Sequence, residues 1–60
     1  MSGKELVRRL EHDRWTINRI RGSHYIMYKK GFKPQTVPVH GNKEIHKGTL
    51  KRILKNTNLI

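Results

Sequence analysis

The sequence contains no cysteine and no long apolar run, and each absence excludes a class of protein. Without cysteine there can be neither a disulfide scaffold nor a zinc site with thiolate ligands, and the chain suits a reducing compartment. No apolar segment approaches the roughly 20 residues that span a bilayer, and the first residues lack the apolar core of a signal peptide. These features predict a cytoplasmic protein with no membrane partner.

Acidic residues are also scarce: four Asp and Glu stand against 14 Lys and Arg, so the net charge is +10 with neutral histidines. This charge opposes compaction unless an anion binds, and the candidate polyanions are nucleic acid, an anionic membrane and an acidic protein. Disorder and a basic membrane-surface helix are the alternatives. The regular pattern of apolar residues argues against disorder. The aromatic residues lie in the middle third of the chain, which is not predicted to be helical, and this argues against a membrane-surface helix.

Periodicity and turn residues predict the order helix, three strands, helix within one small domain over residues 1–60. Ser2 and Glu5 form a capping box at the first helix start, and Pro38 implies that the third strand lies at a sheet edge. The predicted elements are a helix over residues 2–12, strands over residues 15–21, 24–29 and 36–40, and a helix over residues 47–56. We therefore predict a two-layer α+β domain, in which both helices pack on one face of a three-stranded antiparallel sheet.

Lysines recur at every fourth position along the second predicted helix and its approach: Lys43, Lys47, Lys51 and Lys55. A four-residue step advances only about 40° around a helix, so the helical lysines form a stripe beside the apolar face. No acidic residue follows Glu44 to offset their repulsion. A solvated lysine face is the ordinary alternative. Phosphate would relieve the repulsion, and Lys43 and Lys47 would flank a helix start whose free N–H groups favour phosphate.

Among the four histidines, His24 differs because it directly follows Arg21-Gly22-Ser23. A turn, a hydroxyl and a guanidinium thus surround one imidazole. Gly22 has no Cβ, so a sugar-phosphate backbone could approach closely. The motif predicts a phosphate-binding or catalytic site at this turn.

The other histidines give weaker signals. No metal site or other cofactor is expected, because the other candidate ligands are scattered carboxylates and the spacing of His40 and His46 matches no zinc pattern. His12, near a helix end that favours a cation, and His46 are predicted to be structural or solvated.

The second and third strands should pair about a loop centred near residue 33, so position 26 would roughly face position 40. His24 and His40 would then be diagonal neighbours at one end of the sheet, whereas a register shifted by one residue would separate them. Two nearby imidazoles could cleave RNA without a metal, one removing the 2′-hydroxyl proton and the other protonating the leaving 5′-oxygen. Histidine, with a pKa near ~6.5, suits both tasks at neutral pH. Either histidine could instead bind phosphate.

Three blocks of the sequence resemble the HicA family of toxin ribonucleases. The blocks are Trp15-x3-Arg19-x-Arg21-Gly22-Ser23-His24, Val37-Pro38-Val39-His40 and Lys47-Gly48-Thr49-Leu50-x2-Ile53-Leu54-Lys55, and the opening Ser2-Gly3-Lys4-Glu5-Leu6-x3-Leu10 is also similar. The resemblance covers nearly the whole chain, in order and with matching gaps. It implies an α-β-β-β-α fold like that of the double-stranded-RNA-binding domain.

The resemblance also implies a toxin that cleaves messenger RNA without a metal and is inhibited by a cognate HicB antitoxin. Within the motif it implies that His24 is catalytic, with less settled roles for Gly22 and Ser23, whereas a catalytic role for His40 rests on strand pairing alone. We expect the RNA backbone to be held by Arg21 and Gly22 with Lys43, Lys47 and Lys51, and the antitoxin to mask His24 and this basic face. The rival interpretations are a non-catalytic RNA-binding module of the same fold and an interaction protein that docks an acidic partner.

The chain departs from the family pattern at Arg14, where members commonly have glycine before the aromatic residue. A helix often ends with a residue in the left-handed conformation, which glycine adopts more easily than arginine. The sequence therefore does not predict the conformation of this turn. Trp15 is expected in the core. Tyr25 and Tyr28 should lie on opposite faces of the second strand, which leaves one of them free to stack on RNA.

Overall fold

The computed structural model describes residues 1–60 and has the predicted order of elements. These are α1 (Gly3–His12), β1 (Thr16–Arg21), β2 (His24–Tyr28), β3 (Gln35–Pro38) and α2 (Lys47–Asn56). The strands form one antiparallel sheet in the order β1-β2-β3, so the strand that contains Pro38 is an edge strand, as predicted. Neither helix has the length and apolar character that crossing a membrane requires.

Both helices pack on the same face of the sheet, which we call the covered face. Leu6 of α1 and Ile53 of α2 join one buried apolar cluster with Met27 of β2 and Val37 of β3. The covered face carries Ile17, Ile20, Tyr25, Met27, Gln35 and Val37. The opposite face, the open face, carries Thr16, Arg19, Arg21, His24, Ile26, Tyr28, Thr36 and Pro38, all of them exposed or half-buried. The predicted two-layer architecture is therefore confirmed.

The start of α1 is fixed by the predicted capping box. The Ser2 hydroxyl accepts from the Glu5 backbone N–H at 3.2 Å, and the Glu5 carboxylate accepts from the Ser2 backbone N–H at 2.8 Å. Two donors at the helix start are thus satisfied. The bond from the Ser2 backbone holds the pKa of Glu5 below its ordinary value of 4.5.

The turn after α1 is left-handed although arginine occupies it. Arg14 has a φ of 71°, and the Trp15 amide donates to the Leu10 carbonyl oxygen at 2.9 Å. This six-to-one bond is that of a Schellman motif, which also closes α2 with Asn58 at the left-handed position. Asparagine tolerates this conformation, whereas arginine adopts it at a cost of about 1 kcal/mol.

The register between β2 and β3 differs from the prediction. Ile26 pairs with Thr36 and not with position 40, and His24 pairs with Pro38. The strand ends at Pro38, so His40, which was predicted as its last residue, lies just beyond it.

The difference in register follows from where the chain turns between β2 and β3. Gly31 has a φ of 89°, and the Phe32 ring folds back against the Trp15 ring with centroids 5.3 Å apart. Trp15 is only 1% exposed, which confirms its predicted place in the core. The Phe32 backbone N–H donates to the Lys29 carbonyl oxygen at 3.1 Å, so the chain turns near residue 31 and not near residue 33.

Candidate active site

The β1–β2 hairpin places Arg21 directly opposite His24, and Gly22-Ser23 forms the two-residue turn between them. Gly22 has a φ of 59°. A glycine with positive φ at the first position of a two-residue loop is typical of a type II′ turn. A Cβ built on Gly22 would meet no atom within 4 Å, so the surface above this glycine is open.

His24 is exposed, and its imidazole has no hydrogen-bond partner within the protein. The backbone beside it is held firmly. The Ser23 carbonyl oxygen accepts from the Val39 N–H at 2.7 Å, which ties the hairpin turn to the end of β3. A fixed backbone thus carries an imidazole that is free to contact a ligand.

His40 lies at the same end of the sheet as the hairpin turn. The bond between Val39 and Ser23 continues the β2–β3 pairing by one residue, and His40 is the residue that follows Val39. The predicted diagonal relation of His40 to His24, with Cα atoms about 7–8 Å apart, would require the pairing to extend one residue further, to Gly22. The observed register differs from the predicted one by an even number of residues, so such an extension would keep both histidines on the same face.

A β-bulge in β1 determines which of its side chains reach the open face. Ile17 pairs with Met27 and the next pair is Arg19 with Ile26, so Asn18 is the extra residue. A bulge interrupts the strict alternation of side chains along a strand. The unbroken hairpin register from Arg21 keeps Arg19 on the open face, and the bulge beyond it places Ile17 beside Met27 on the covered face.

The open face therefore carries two arginines, Arg19 opposite Ile26 and Arg21 opposite His24. Arg21 is predicted from the sequence motif, whereas Arg19 is not among the predicted site residues. Its two-residue spacing from Arg21 is the signal that could have identified it, because alternate residues of a strand share a face.

No acidic side chain forms an ion pair with the arginines of the open face. Glu5 caps α1, Glu44 pairs with the N-terminal amine, Asp13 lies 3.5 Å from the Lys29 ammonium group, and Glu11 is exposed on α1. Lys29 is consequently the only one of 14 Lys and Arg side chains that forms an ion pair. The cationic surface is free to attract a polyanion.

The predicted lysine stripe exists but lies in the helix layer. Lys47, Lys51 and Lys55 are exposed along α2, which packs on the covered face, whereas His24 lies on the open face. Lys43 is exposed in the segment that connects the end of β3 to α2. The Lys43 backbone N–H donates to the His40 carbonyl oxygen at 2.9 Å, which keeps Lys43 near the end of β3, and Lys51 lies one turn beyond Lys47 along α2.

His46 has a structural role, as predicted. It is the N-cap of α2, and its Nδ1 accepts from the Gly48 backbone N–H at 3.2 Å. The His, Asp and Glu side chains form no group of three that could hold a metal ion.

Gly3 packs against the end of β3, a contact that was not predicted from the sequence. A Cβ on Gly3 would overlap the Pro38 carbonyl oxygen and lie 2.8 Å from the Val39 Cα. Only glycine allows the start of α1 to approach the end of β3 this closely. Because Pro38 pairs with His24, this contact fixes the strand beside the candidate catalytic histidine.

The surface offers no enclosed apolar pocket. Its three depressions have no hydrophobic lining residue, and His24 lines none of them. Small-molecule sites are concave and mostly apolar. The open face around His24 instead suits an extended polymer.

Comparison with known proteins identifies the family of the chain. The family model described as the HicA toxin of bacterial toxin-antitoxin matches residues 3–59. No curated protein and no solved structure gives a significant match, so the likeness to the double-stranded-RNA-binding domain stays a prediction. The matched range includes the hairpin with His24, the end of β3 and all of α2. The chain therefore belongs to the HicA family of bacterial toxins, the toxin components of toxin–antitoxin pairs.

Proposed function

We propose that residues 1–60 act as one RNA-binding and ribonuclease domain, a metal-independent RNA endonuclease that cuts messenger RNA at the hairpin end of the open face. One observation carries the proposal: His24 presents an exposed imidazole without an internal partner, directly opposite Arg21, on a sheet face that no helix covers. The unneutralised charge of this face and the membership in a toxin family support it.

The reaction requires one proton acceptor and one proton donor. A neutral imidazole removes the 2′-hydroxyl proton, and O2′ attacks the adjacent phosphorus. The bond from phosphorus to the 5′-oxygen breaks, and a protonated imidazole gives its proton to that oxygen. The products are a 2′,3′-cyclic phosphate and a 5′-hydroxyl, and no cofactor is needed. We assign one proton transfer to His24 and the other to His40, which lies at the same end of the sheet.

Arg21 is assigned to the phosphate itself. A guanidinium can bond two phosphate oxygens at once, and it stabilises the charge that grows on them in the transition state. The bare Cα of Gly22 leaves room for the RNA backbone, and the Ser23 hydroxyl can contact the same phosphate. Lys43, Lys47 and Lys51 add electrostatic attraction that does not depend on sequence.

The antitoxin is proposed to be a HicB-like protein that covers His24 and the basic face together. Charge favours this arrangement, because an acidic surface would find no competing acid on the open face. Hydrogen exchange of the complex would then protect β2 and the hairpin turn. Protection confined to the far side of α1 would contradict simple masking of the site.

The test is an RNA cleavage assay in excess EDTA with three proteins: native, His24→Ala and His12→Ala. His12 is an exposed histidine at the C-terminal end of α1, so its replacement controls for the loss of any imidazole. We expect native and His12→Ala to cleave equally. His24→Ala should lose about 10²–10⁴ in rate, the usual contribution of a positioned acid or base.

Two outcomes would contradict the proposal, provided that circular dichroism shows all three proteins folded. Equal cleavage by native and His24→Ala would remove His24 from the mechanism. Binding of RNA by all three proteins without any cleavage would favour the rival function, a non-catalytic RNA-binding module of the same fold.

A further inference from the structure

We propose that the open face binds single-stranded RNA along β2, with Tyr28 as the platform on which a base stacks. This inference rests on the proposed function and adds the form of the RNA, its path and two further contact residues, Tyr28 and Arg19. Its test measures binding alone, so it can fail while the ribonuclease assignment holds.

Strand β2 sets the path of the RNA. His24, Ile26 and Tyr28 occupy alternate positions of β2, and their pairing places all three on the open face. At about 3.4 Å per residue, four residues separate His24 from Tyr28 by about 14 Å. A base stacked on Tyr28 therefore belongs to a different nucleotide from the one that is cleaved at His24.

The Tyr28 side chain is available for stacking. It is 47% exposed, whereas Tyr25, on the covered face, is half-buried against the core. The backbone at Tyr28 is fixed, because its carbonyl oxygen accepts from the Thr16 hydroxyl at 3.3 Å. An exposed aromatic ring on a fixed strand is the arrangement with which sheet proteins hold single-stranded bases.

Arginines run beside this path and give it charge of the right sign. Arg19 and Arg21 are two residues apart on β1, about 7 Å along the strand, and face Ile26 and His24 across the ladder. The two-residue hairpin turn sets this register, because the pairing runs without interruption from Arg21 to Arg19. A row of guanidiniums beside a row of apolar and aromatic side chains matches a single strand, which presents phosphates on one side and bases on the other.

Duplex RNA would use this face poorly. In a duplex the faces of the bases are stacked on one another and cannot reach Tyr28, and recognition falls to phosphates and 2′-hydroxyls across the minor groove. The lysines of α2 could bind such phosphates, but they lie in the helix layer, whereas His24 lies on the open face. The open face thus favours a single strand.

The experiment measures binding of 2′-O-methyl RNA, which has no 2′-hydroxyl and cannot be cut by the proposed reaction. Fluorescence anisotropy would compare a single strand with a duplex of the same length for native, Tyr28→Ala and Tyr28→Phe proteins. We expect native protein to prefer the single strand. Tyr28→Ala should weaken single-strand binding about tenfold, because base stacking on an aromatic ring is lost, while Tyr28→Phe should bind like native.

A second pair of variants tests the path of the backbone. Arg19→Ala on the open face should weaken single-strand binding more than Lys55→Ala on α2. It should also reduce the slope of log affinity against log salt concentration by about 0.7, as the loss of one phosphate contact on a single strand does. Both variants remove one positive charge, so a difference between them reports position and not net charge.

The proposal is overturned if native protein binds the duplex as tightly as the single strand, or if Tyr28→Ala binds the single strand like native. A larger loss for Lys55→Ala than for Arg19→Ala would move the RNA to the helix layer and contradict the proposal as well. Binding of an acidic antitoxin at the open face with no affinity for either RNA would assign this face to the protein partner instead. Tyr28→Leu, which keeps bulk without aromaticity, should reproduce the tenfold loss and guards against misfolding of the alanine variant.

Discussion

Along β2 the side chains alternate between core and solvent, and the two faces of the sheet differ accordingly. On the covered face Met27 is completely buried between the sheet and the helices, and the directly paired Gln35 is nearly so. On the open face His24 and Tyr28 are exposed, and the neighbouring strand adds two arginines. One strand therefore contributes to the core on one side and carries the candidate site residues on the other, so the two can be changed separately.

This separation matters because the domain is small. A chain of 60 residues buries only about 60% of the surface that it exposes when unfolded, and its net charge of +10 adds self-repulsion. Two of the unpaired positive charges, those of Arg19 and Arg21, lie on the open face, outside the apolar core. A bound polyanion would offset the repulsion that the fold otherwise tolerates.

The largest expected effect within the site, beyond the loss of His24, is that of His40→Ala. We expect a loss of about 10²–10⁴ in cleavage rate, because one of two proton transfers loses its group. The plot of kcat against pH should also change from a bell shape, which reports an acid and a base, to a curve with a single titration. A variant that retains the bell-shaped profile, measured against His12→Ala, would remove His40 from the reaction and leave it as a phosphate contact.

On the covered face Met27→Ala should lower the free energy of unfolding by about 2–5 kcal/mol, since it leaves a cavity in a fully buried site. The adjacent open-face variant Tyr28→Ala should stay within about 0.5 kcal/mol of native. Urea unfolding followed by circular dichroism measures both. Equal losses for the two variants would show that the open face contributes to the core and would break the comparison between the faces.

A smaller change concerns the turn after α1, which lies at the opposite end of β1 from Arg21 and His24. Arg14→Gly should raise the free energy of unfolding by about 0.5–1 kcal/mol, because glycine adopts positive φ without strain but is more flexible when unfolded. Arg14→Ala keeps the Cβ and removes the same charge, so it should give no such gain. Cleavage by Arg14→Gly should match native protein, which would show that stability can rise without altering the site.

The smallest predicted effect is the pH dependence that Glu5 adds to stability. Its pKa is lower in the folded protein than its ordinary value of 4.5, because the Ser2 backbone N–H bonds the carboxylate. The stabilisation by the Glu5 carboxylate is therefore complete above pH 4.5. It is lost as the pH falls through the pKa that Glu5 has in the folded protein. Unfolding measured from about pH 3 to about pH 7 should show the difference between native and Glu5→Gln shrinking at low pH. A difference that stays constant would mean that the carboxylate charge does not stabilise the cap.

Local signals in the sequence were sufficient for the helices and for the hairpin. The capping box at Ser2 and Glu5, the apolar spacing of both helices and the Gly22-Ser23 turn are each decided within a few residues, and all are confirmed. The same holds for the grouping of Arg21 with His24, because a two-residue turn leaves only one register for its flanking residues.

The features that were missed depend on contacts between distant segments. The β2–β3 register follows a turn over Lys29–Phe32, whose Phe32 ring packs on the distant Trp15. The bulge at Asn18 places Ile17 on the covered face through pairing with β2, and the need for Gly3 appears only when α1 meets the Pro38 carbonyl. Such features require the packed structure, because their causes lie in tertiary contact and not in sequence pattern.

The most direct test of the central claim is to map the RNA on the native protein by NMR. Amide shifts of uniformly ¹⁵N-labelled protein would be followed while single-stranded 2′-O-methyl RNA is added. We predict that the changes concentrate in β1, β2, the turn at Gly22-Ser23 and the segment Val39–His40, with little change from Ile53 to Asn56. Changes confined to α2 and absent from the hairpin would contradict the claim that RNA is bound and cut on the open face of the sheet.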